Sequence, residues 1–448
     1  MDTTNNETVT QEVKEENMQM SLDPPAGTRD FPPKEMRIRN WLFDIWRDIS
    51  KKFGFSEYDC PVVEYQSLYT RKGGDDIIQE MFAFTLGNNK LALRPEMTPS
   101  VARMMMKHYT TESPPFKWFS IPQCWRYEDI KRGRKREHYQ WNADVFGAEK
   151  IVSEIEIFMM VTTFFERIGL TPKDVVLRVS NRMILQKVLT KMGVPDDLFE
   201  RACVLIDKLA KMSKVDMSEK LRNEIFLTDD QIENIYTLCE VKDINLIARF
   251  LGEDDETFLE MKQIFDLATK VGISQWLQFD ASIVRGLSYY TGIVFEGFSI
   301  GLPNLQKSIC GGGRYDDLMT KYGYKEKVPA VGFGFGDVVI TELLRDLGKL
   351  PDCPLETQYL VVPFNPDYFC EATLVSQMIR SKGVNAETYT KNTRVGKAFD
   401  YADRKGIDMV VLIAPAEWAE NKIVLKKLRD TSASKQVSMP LFDFINGL

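Results

Sequence analysis

Five of the six residues at positions 131–136 are basic, arranged around Gly133. They sit within residues 123–147, where polar and charged side chains, among them Arg126, Glu128, His138, Gln140 and Asp144, reach into both flanks of the cluster. Two strands joined by a cationic loop make a hairpin suited to phosphate. Arg126 falls in the first strand, where packing can hold its rigid guanidinium fork against phosphate oxygens. Glu128, two residues on, is placed to accept hydrogen bonds from a base amino group or to orient that arginine. The competing reading is a solvated hairpin tip or a nuclear-localisation run, because short basic clusters are often no more than that.

Such a hairpin needs a scaffold. Residues 91–146 read as short strands and turns, followed by a helix over about 149–168. Upstream, residues 23–30 are rich in turn formers, and Ile38, Leu42, Ile45 and Ile49 predict a helix over 37–53. Residues 58–63 read as a strand containing Pro61, which lacks a ladder donor and so belongs at an edge or an interface. Residues from about 194 to 272 are charged and rich in leucine and isoleucine without strand character, and read as a helical insertion. Strand character returns at 277–284 and 292–298, ahead of glycine clusters at 310–314 and 331–336. Asp352-Cys353-Pro354 reads as a linker. Beyond it, strands at 359–363 and 408–414 and a helix near 371–381 alternate as in a small α/β domain. The expected layout is an acidic tail over 1–22, a main domain over 23–350 and a second domain over 355–448.

At 448 residues, 44% hydrophobic and 27% charged, the chain has ordinary globular composition and is long for one core. No run of 18 apolar residues occurs, so no membrane span is expected. Residues 1–20 are acidic and polar with one lysine, Lys14. They read as a disordered tail on a cytoplasmic protein rather than a secretory or Arg-rich targeting segment. Seven scattered cysteines without a Cys-x-x-Cys pair, and only two histidines, His108 and His138, argue against zinc and against a disulfide framework. The net charge of −7 means that a polyanionic partner would have to be held by local basic patches.

Arg126-Tyr127-Glu128 with its basic loop resembles the second signature of class II aminoacyl-tRNA synthetases. Pro61 after a long helix resembles the first, which builds the dimer interface in that class. Leu93-Arg94-Pro95-Glu96-Met97-Thr98 looks like the amino-acid-binding loop, and residues 330–340 occupy the place of the third signature. Residues 284–296 (Val-Arg-Gly-Leu-Ser-Tyr-Tyr-Thr-Gly-Ile-Val-Phe-Glu) and 310–316 (Cys-Gly-Gly-Gly-Arg-Tyr-Asp) resemble two motifs peculiar to histidyl-tRNA synthetases. These blocks keep the family's order, and the resemblance covers nearly everything from residue 24 to about 444.

The resemblance implies an α+β protein: a class II antiparallel-sheet catalytic domain with a helical insertion touching the tRNA acceptor arm, plus a C-terminal α/β anticodon-binding domain. It implies ligation of L-histidine to tRNA(His) through a histidyl-adenylate, with ATP and Mg²⁺, by a homodimer. Histidine is then held by Glu96, Thr98, Arg126, Gln140, Asp144, Arg285, Tyr289 and Tyr290, with Tyr315 closing the pocket. Asp144 and Tyr290 would partner the two imidazole nitrogens. Arg126 and Arg285 would flank the α-phosphate as the catalytic pair, and Glu128, Arg134, Arg136, His138 and Arg314 would serve ATP. Lys391, Arg394, Lys397, Arg404 and Lys405 are candidates for the anticodon, and each is equally suited to solvating a surface helix.

Three departures stand out. Third signatures usually end Gly-Leu-x-Arg, but here Val339 takes the arginine's place, leaving Arg134, Arg136 or Arg314 to hold the outer phosphates. Ser288 and Asp144 stand where many relatives carry Asp and Glu. Lys211-Met212-Ser213-Lys214 matches a class I phosphate-binding signature, yet it lies in the helical insertion with no Rossmann-type turn upstream and reads as a helix end. The rival to an enzyme is a non-catalytic relative, a histidine sensor or regulatory subunit, which the missing arginine favours. A different class II synthetase is opposed by residues 285–296.

Overall fold

The computed structural model describes residues 21–70, 78–209, 212–287, 289–300, 308–429 and 436–448. The expected tail, apart from Ser21 and Leu22, and the departure at Ser288 lie outside them. The chain divides into two compact units, one ending at Pro351 and the other running from Asp352 to Leu448.

The first unit carries strands β1 (Ser56–Glu57), β2 (Val63–Tyr65), β3 (Ala83–Leu86), β4 (Asn89–Leu93), β5 (Phe116–Ser120), β6 (Gln123–Trp125), β7 (Glu137–Phe146), β8 (Val175–Asn181), β9 (Leu277–Phe279), β10 (Ile293–Ser299), β11 (Ser308–Arg314) and β12 (Ala330–Gly336). Nine of them form one sheet in the order β1-β5-β7-β12-β11-β10-β8-β9, with β6 paired to β7; β2, β4 and β3 form a second, small sheet. The centre of the large sheet is antiparallel, and a parallel pair closes each edge, β1 with β5 and β8 with β9.

Successive side chains of a strand point to opposite faces. On β7, Trp141, Ala143 and Val145 are buried on one face. There Trp141 stacks on Trp46 at 5.9 Å, meets Phe333 edge-on at 4.9 Å and donates its Nε1–H to Ser50 at 2.9 Å. Helices Pro33–Lys52 and Val152–Arg167 supply Trp46 and Phe164 to this core. Burying each such side chain stabilises by roughly 1.5–3 kcal/mol. The other face, which carries His138, Gln140, Asn142 and Asp144, is left for chemistry.

Several sequence expectations change. Residues 91–146 are not all strand and turn: Thr98–His108 is a helix with proline in its first turn. Its buried stripe, Val101, Ala102 and Met105, is too short to give a periodic signal, although Pro99 is a common helix starter. The strand expected over 58–63 is broken. Pro61 falls in the irregular segment between β1 and β2, where the chain leaves an edge of the large sheet for an edge of the small one. The strand expected over 277–284 stops at Phe279, because the Asp280 carboxylate accepts the Ser282 backbone N–H at 3.0 Å and turns the chain.

The insertion is helical, with no strand among its described residues. Its main helices are Phe199–Asp207, Lys214–Ile225, Asp229–Cys239 and Glu256–Lys270. Ser213 caps the second of these, so the class I look-alike is a helix start; its Lys211 lies outside the described residues.

In the second unit β13 (Tyr359–Pro363), β14 (Ala386–Thr388), β15 (Met409–Ile413), β16 (Lys422–Lys427) and β17 (Gln436–Pro440) form a sheet in the order β14-β13-β15-β16-β17. Leu360 and Val362 pack with Ala398 and Ala402, while Val361 packs with Ala372 and Val375. A run apolar on both faces is what a strand covered by helices on two sides requires. None of the seven cysteines forms a disulfide. No described helix is long and apolar enough to cross a membrane.

Candidate active site

The open face of the large sheet is paved with glycine. Gly311 and Gly313 of β11 lie beside Gly332 and Gly334 of β12. A Cβ on Gly311 would stand 2.5 Å from the Arg285 guanidinium, one on Gly332 would strike the Asp144 carboxylate and the Tyr315 hydroxyl, and one on Gly334 would strike the Gln140 amide. The glycines are there so that long polar side chains can lie flat across the sheet.

Two buried carboxylates anchor one end. Glu96, from the loop between β4 and helix Thr98–His108, accepts the Tyr289 hydroxyl at 2.9 Å. Burial raises its pKa, opposed by Arg126. Asp144 is 1% exposed. It accepts the Tyr315 hydroxyl through one oxygen, and its Oδ2 has no partner. Burial pushes Asp144 up to about 7, against the Tyr315 hydrogen bond and with help from Glu96. The rings of Tyr289, Tyr290 and Tyr315 gather within 4.8–6.4 Å of one another beside these acids. Thr98 is nearly buried at the start of its helix.

Two arginines face the carboxylates. Arg126 is aimed by donating its Nε–H to Pro95 O at 2.9 Å. Arg285 takes a left-handed backbone, φ 55°, which a non-glycine residue adopts only when its surroundings enforce it. Its guanidinium pairs with Glu296 of β10 while its Nε finds no partner. Burial is the largest effect and opposes the Arg285 charge, but Glu296 together with Tyr290, Asp207 and Tyr289 outweighs it and the pKa is raised.

The cations of the hairpin are engaged by neighbouring acids and an aromatic ring. Arg134 pairs with Glu128 at 2.6 Å, Arg136 lies 3.9 Å over the Tyr127 ring, and Arg132 pairs with Glu342 and Asp346 of helix Asp337–Asp346. His138 is pushed down to about 3 by burial, then by Arg126 and Arg29, so it is a flat neutral ring at physiological pH.

Arg314 does not join the site. It is 1% exposed on the helix-covered face, paired with Glu154 at 2.5 Å and Asp316 at 2.9 Å. Strand alternation explains this: with Gly311 and Gly313 on the open face, the side chain at 314 must point the other way. The expectation that Arg314 could hold outer phosphates is corrected. Val339 is buried in the main core, away from any such role.

Three participants were not singled out from sequence. Asn142 lies between Gln140 and Asp144 on the same face, buried, with Oδ1 unpartnered; the period of two along β7 would have found it. Glu296 follows from the same alternation on β10. Arg29, read only as part of a turn, clamps Glu137 at 2.8 Å and Asp337 at 2.9 Å, and so ties the third-signature helix to β7. No sequence signal points to that pairing.

An antiparallel sheet bearing the Arg126 hairpin on one face, followed by a separate α/β unit, defines a class II aminoacyl-tRNA synthetase core with an anticodon-binding domain. The histidyl-tRNA synthetase family description matches residues 27–336, and the anticodon binding domain matches 358–448. The chain is 42% identical over 434 residues to the histidine–tRNA ligase, chloroplastic/mitochondrial, of Arabidopsis thaliana, covering 96% of this chain and 88% of that one. The crystal structure of histidyl-tRNA synthetase from Nostoc sp. PCC 7120 superposes with TM-score 0.78 at 25% identity, covering 96% of this chain and 99% of that one. An ATP phosphoribosyltransferase regulatory subunit/histidyl-tRNA synthetase from Bacillus halodurans shares the fold, with TM-score 0.71 at 20% identity over 89% of this chain and 100% of that one. The chain belongs to the histidyl-tRNA synthetase family.

Proposed function

We propose that the protein joins L-histidine to tRNA(His) in two steps, through a histidyl-adenylate, with the open face of the large sheet as the active site. The observation that carries this is the convergence of Glu96, Asp144, Tyr289, Tyr290 and Tyr315 with Arg126 and Arg285 over the glycine pavement. Glu96, Thr98 and Gln140 receive the α-ammonium. Asp144 and Tyr290 take the imidazole nitrogens, Tyr315 orients Asp144, and Asn142 completes the floor.

The histidine carboxylate is the nucleophile. Its oxygen bonds to the α-phosphorus as the bond to the bridging oxygen breaks and pyrophosphate leaves. No general base is needed; position and charge do the work. Arg126 and Arg285 flank the α-phosphate, His138 lies flat under adenine, and Glu128 accepts the adenine amino group. Arg134 and Arg136 are then the cations left for the outer phosphates, and Arg134 must exchange Glu128 for phosphate. The described residues hold no cluster of three or more His, Cys, Asp or Glu able to cage a metal. Mg²⁺ therefore fits as an ion carried mainly by phosphate oxygens, its usual mode, and it would neutralise the leaving pyrophosphate.

Tyr65, Phe84 and Leu86 are 60%, 43% and 68% exposed on one face of the small sheet, Tyr65 and Phe84 in register with Leu91 and Leu86 with Asn89. Val63 and Leu93 extend that face. A continuous exposed apolar patch of this kind favours a protein interface, and we assign it to a second copy in a homodimer. Replacing Phe84 and Leu86 together by aspartate should shift the light-scattering mass at micromolar concentration from dimer to monomer. An unchanged dimer would place the interface elsewhere.

We take 23–350 as catalytic, with the insertion over about 194–272 near the acceptor arm, and 355–448 as the anticodon reader. Lys391, Arg394 and Lys397 are exposed around the start of helix Val395–Lys405, whereas Lys405 is engaged with Glu387. Removing residues 355–448 should leave pyrophosphate exchange intact while tRNA charging falls steeply. The residual binding would be mostly to phosphates and so strongly weakened by salt. Charging that survives the deletion would dismiss the anticodon role. Loss of exchange in a folded dimer would dismiss the site. We place the protein in the cytoplasm, and the chloroplastic/mitochondrial relative makes an organelle the alternative, which imaging of the tagged chain decides.

Val339 supports the second reading, a regulatory subunit that binds histidine without activating it. The complete set of carboxylates, tyrosines and paired arginines favours the enzyme.

A further inference from the structure

We propose that Arg182 is a positioning residue through which the helical insertion sets the affinity of the histidine pocket. The proposal rests on the reading of residues 285–290 as the histidine-binding loop. Arg182 follows β8 directly and opens helix Arg182–Lys191, where it is 1% exposed. Its backbone N–H donates to Gly292 O at 3.0 Å, beside the end of the loop. Its Nη1 donates to two loop carbonyls, Leu287 O and Tyr290 O, both at 2.9 Å. Those carbonyls bracket Tyr289, whose hydroxyl holds Glu96.

The other arm of the same guanidinium leaves the catalytic core. Nη2 donates to Glu200 Oε2 at 2.9 Å, and the guanidinium carbon lies 5.2 Å from the centroid of the Phe199 ring. Both residues begin helix Phe199–Asp207 of the insertion. The far end of that helix reaches the loop as well: a Cβ on Gly286 would stand 3.6 Å from Asp207 Oδ2, and the Asp207 charge helps to hold Arg285 protonated, after the larger effects of burial, which opposes the charge, and Glu296. One insertion helix therefore grips the loop at two points, directly beside Arg285 and through Arg182 around Tyr289.

The chemistry makes this grip adjustable. A buried guanidinium needs a counter-ion, and Glu200 is the one carboxylate paired with it among the described residues. The Glu200 side chain is 48% exposed, so the partner sits at the surface, while Ala202, Cys203, Leu205 and Ile206 seat the same helix in the main core. When that helix is seated, Arg182 is charged, oriented and able to hold both carbonyls. When the Glu200 partner is lost, Leu287 O and Tyr290 O lose an oriented donor, while Arg285 keeps its pair with Glu296 and the ATP side keeps Arg126 and the hairpin.

The test uses the full-length protein and histidine-dependent pyrophosphate exchange. Glu200→Gln, a surface change, should raise the KM for histidine about tenfold, the scale of a weakened charge-assisted hydrogen bond, with kcat and the KM for ATP nearly unchanged. Arg182→Lys keeps the charge but cannot bridge two carbonyls and a carboxylate in one plane, and should raise the histidine KM further. A merely structural role predicts parallel losses for histidine and ATP together with a lowered melting temperature, and that pattern overturns the proposal. So does an unchanged histidine KM in Glu200→Gln, which decides the matter alone if the lysine variant does not fold. Absence of histidine-dependent exchange in the unmodified protein would instead overturn the pocket assignment on which the proposal stands.

Discussion

Replacing Arg285 by alanine is expected to lower histidine-dependent pyrophosphate exchange by about 10²–10³-fold, the loss seen when one preorganised donor is removed from a developing negative charge. The expectation follows from how much structure is devoted to that guanidinium. A left-handed residue, an ion pair to Glu296 and the bare surface of Gly311 all serve to hold it over the sheet. The effect should fall on kcat, because the charge it meets grows as pyrophosphate departs. Gly311→Ala supplies an independent check. Its methyl would lie 2.5 Å from Nη1 and must displace the guanidinium, so exchange should fall although no functional group has been lost. A folded Arg285→Ala protein that exchanges normally would remove Arg285 from the chemistry.

Discrimination by the ring pocket should be larger still. A site that hydrogen-bonds both nitrogens of a buried ring rejects apolar isosteres by about 10⁴-fold or more without editing, because its own polar groups are otherwise left unpaired. Asp144 has a buried Oδ2 without a protein partner, available to the ring. Asp144→Ala should weaken histidine binding severely and leave ATP affinity nearly unchanged. The same carboxylate sets a pH dependence. Burial holds Asp144 at about 7, and free histidine's ring titrates near 6.5. Above both values Asp144 is ionised and accepts the ring N–H. Below both, the acid is neutral and the ring is cationic, so binding must expel a proton. The KM for histidine should therefore climb as pH falls from 7 to 5, by up to about tenfold per unit. Asp144→Asn should flatten that acid limb. Calorimetric histidine affinity that is indifferent to both substitutions would refute the assignment.

Much of the candidate site was legible in sequence because it is built from contiguous blocks. Arg126, Glu128, His138, Gln140 and Asp144 occupy one hairpin, and Arg285, Tyr289 and Tyr290 one loop. Their faces were less legible. Arg314 looked available beside its glycines, yet the alternation that puts Gly311 and Gly313 on the open face sends Arg314 into a buried pair with Glu154. The same alternation would have promoted Asn142. Helix Thr98–His108 was missed because its buried stripe is short, and the strand around Pro61 was overdrawn because an edge strand and a chain crossing share the same missing donor. Contacts between distant segments, Arg29 with Asp337 or Arg182 with Glu200, leave no trace in spacing. They exist only once the chain has folded.

Valine at position 339 should not prevent this pocket from activating histidine. Exchange of labelled pyrophosphate into ATP, measured on the purified protein with each amino acid in turn, tests it most directly. Exchange is expected with histidine, none above background with the other amino acids, and near-complete loss in Arg285→Ala. Tight histidine binding with no exchange would identify a sensor rather than an enzyme, and exchange driven by another amino acid would show that the pocket is not built for histidine.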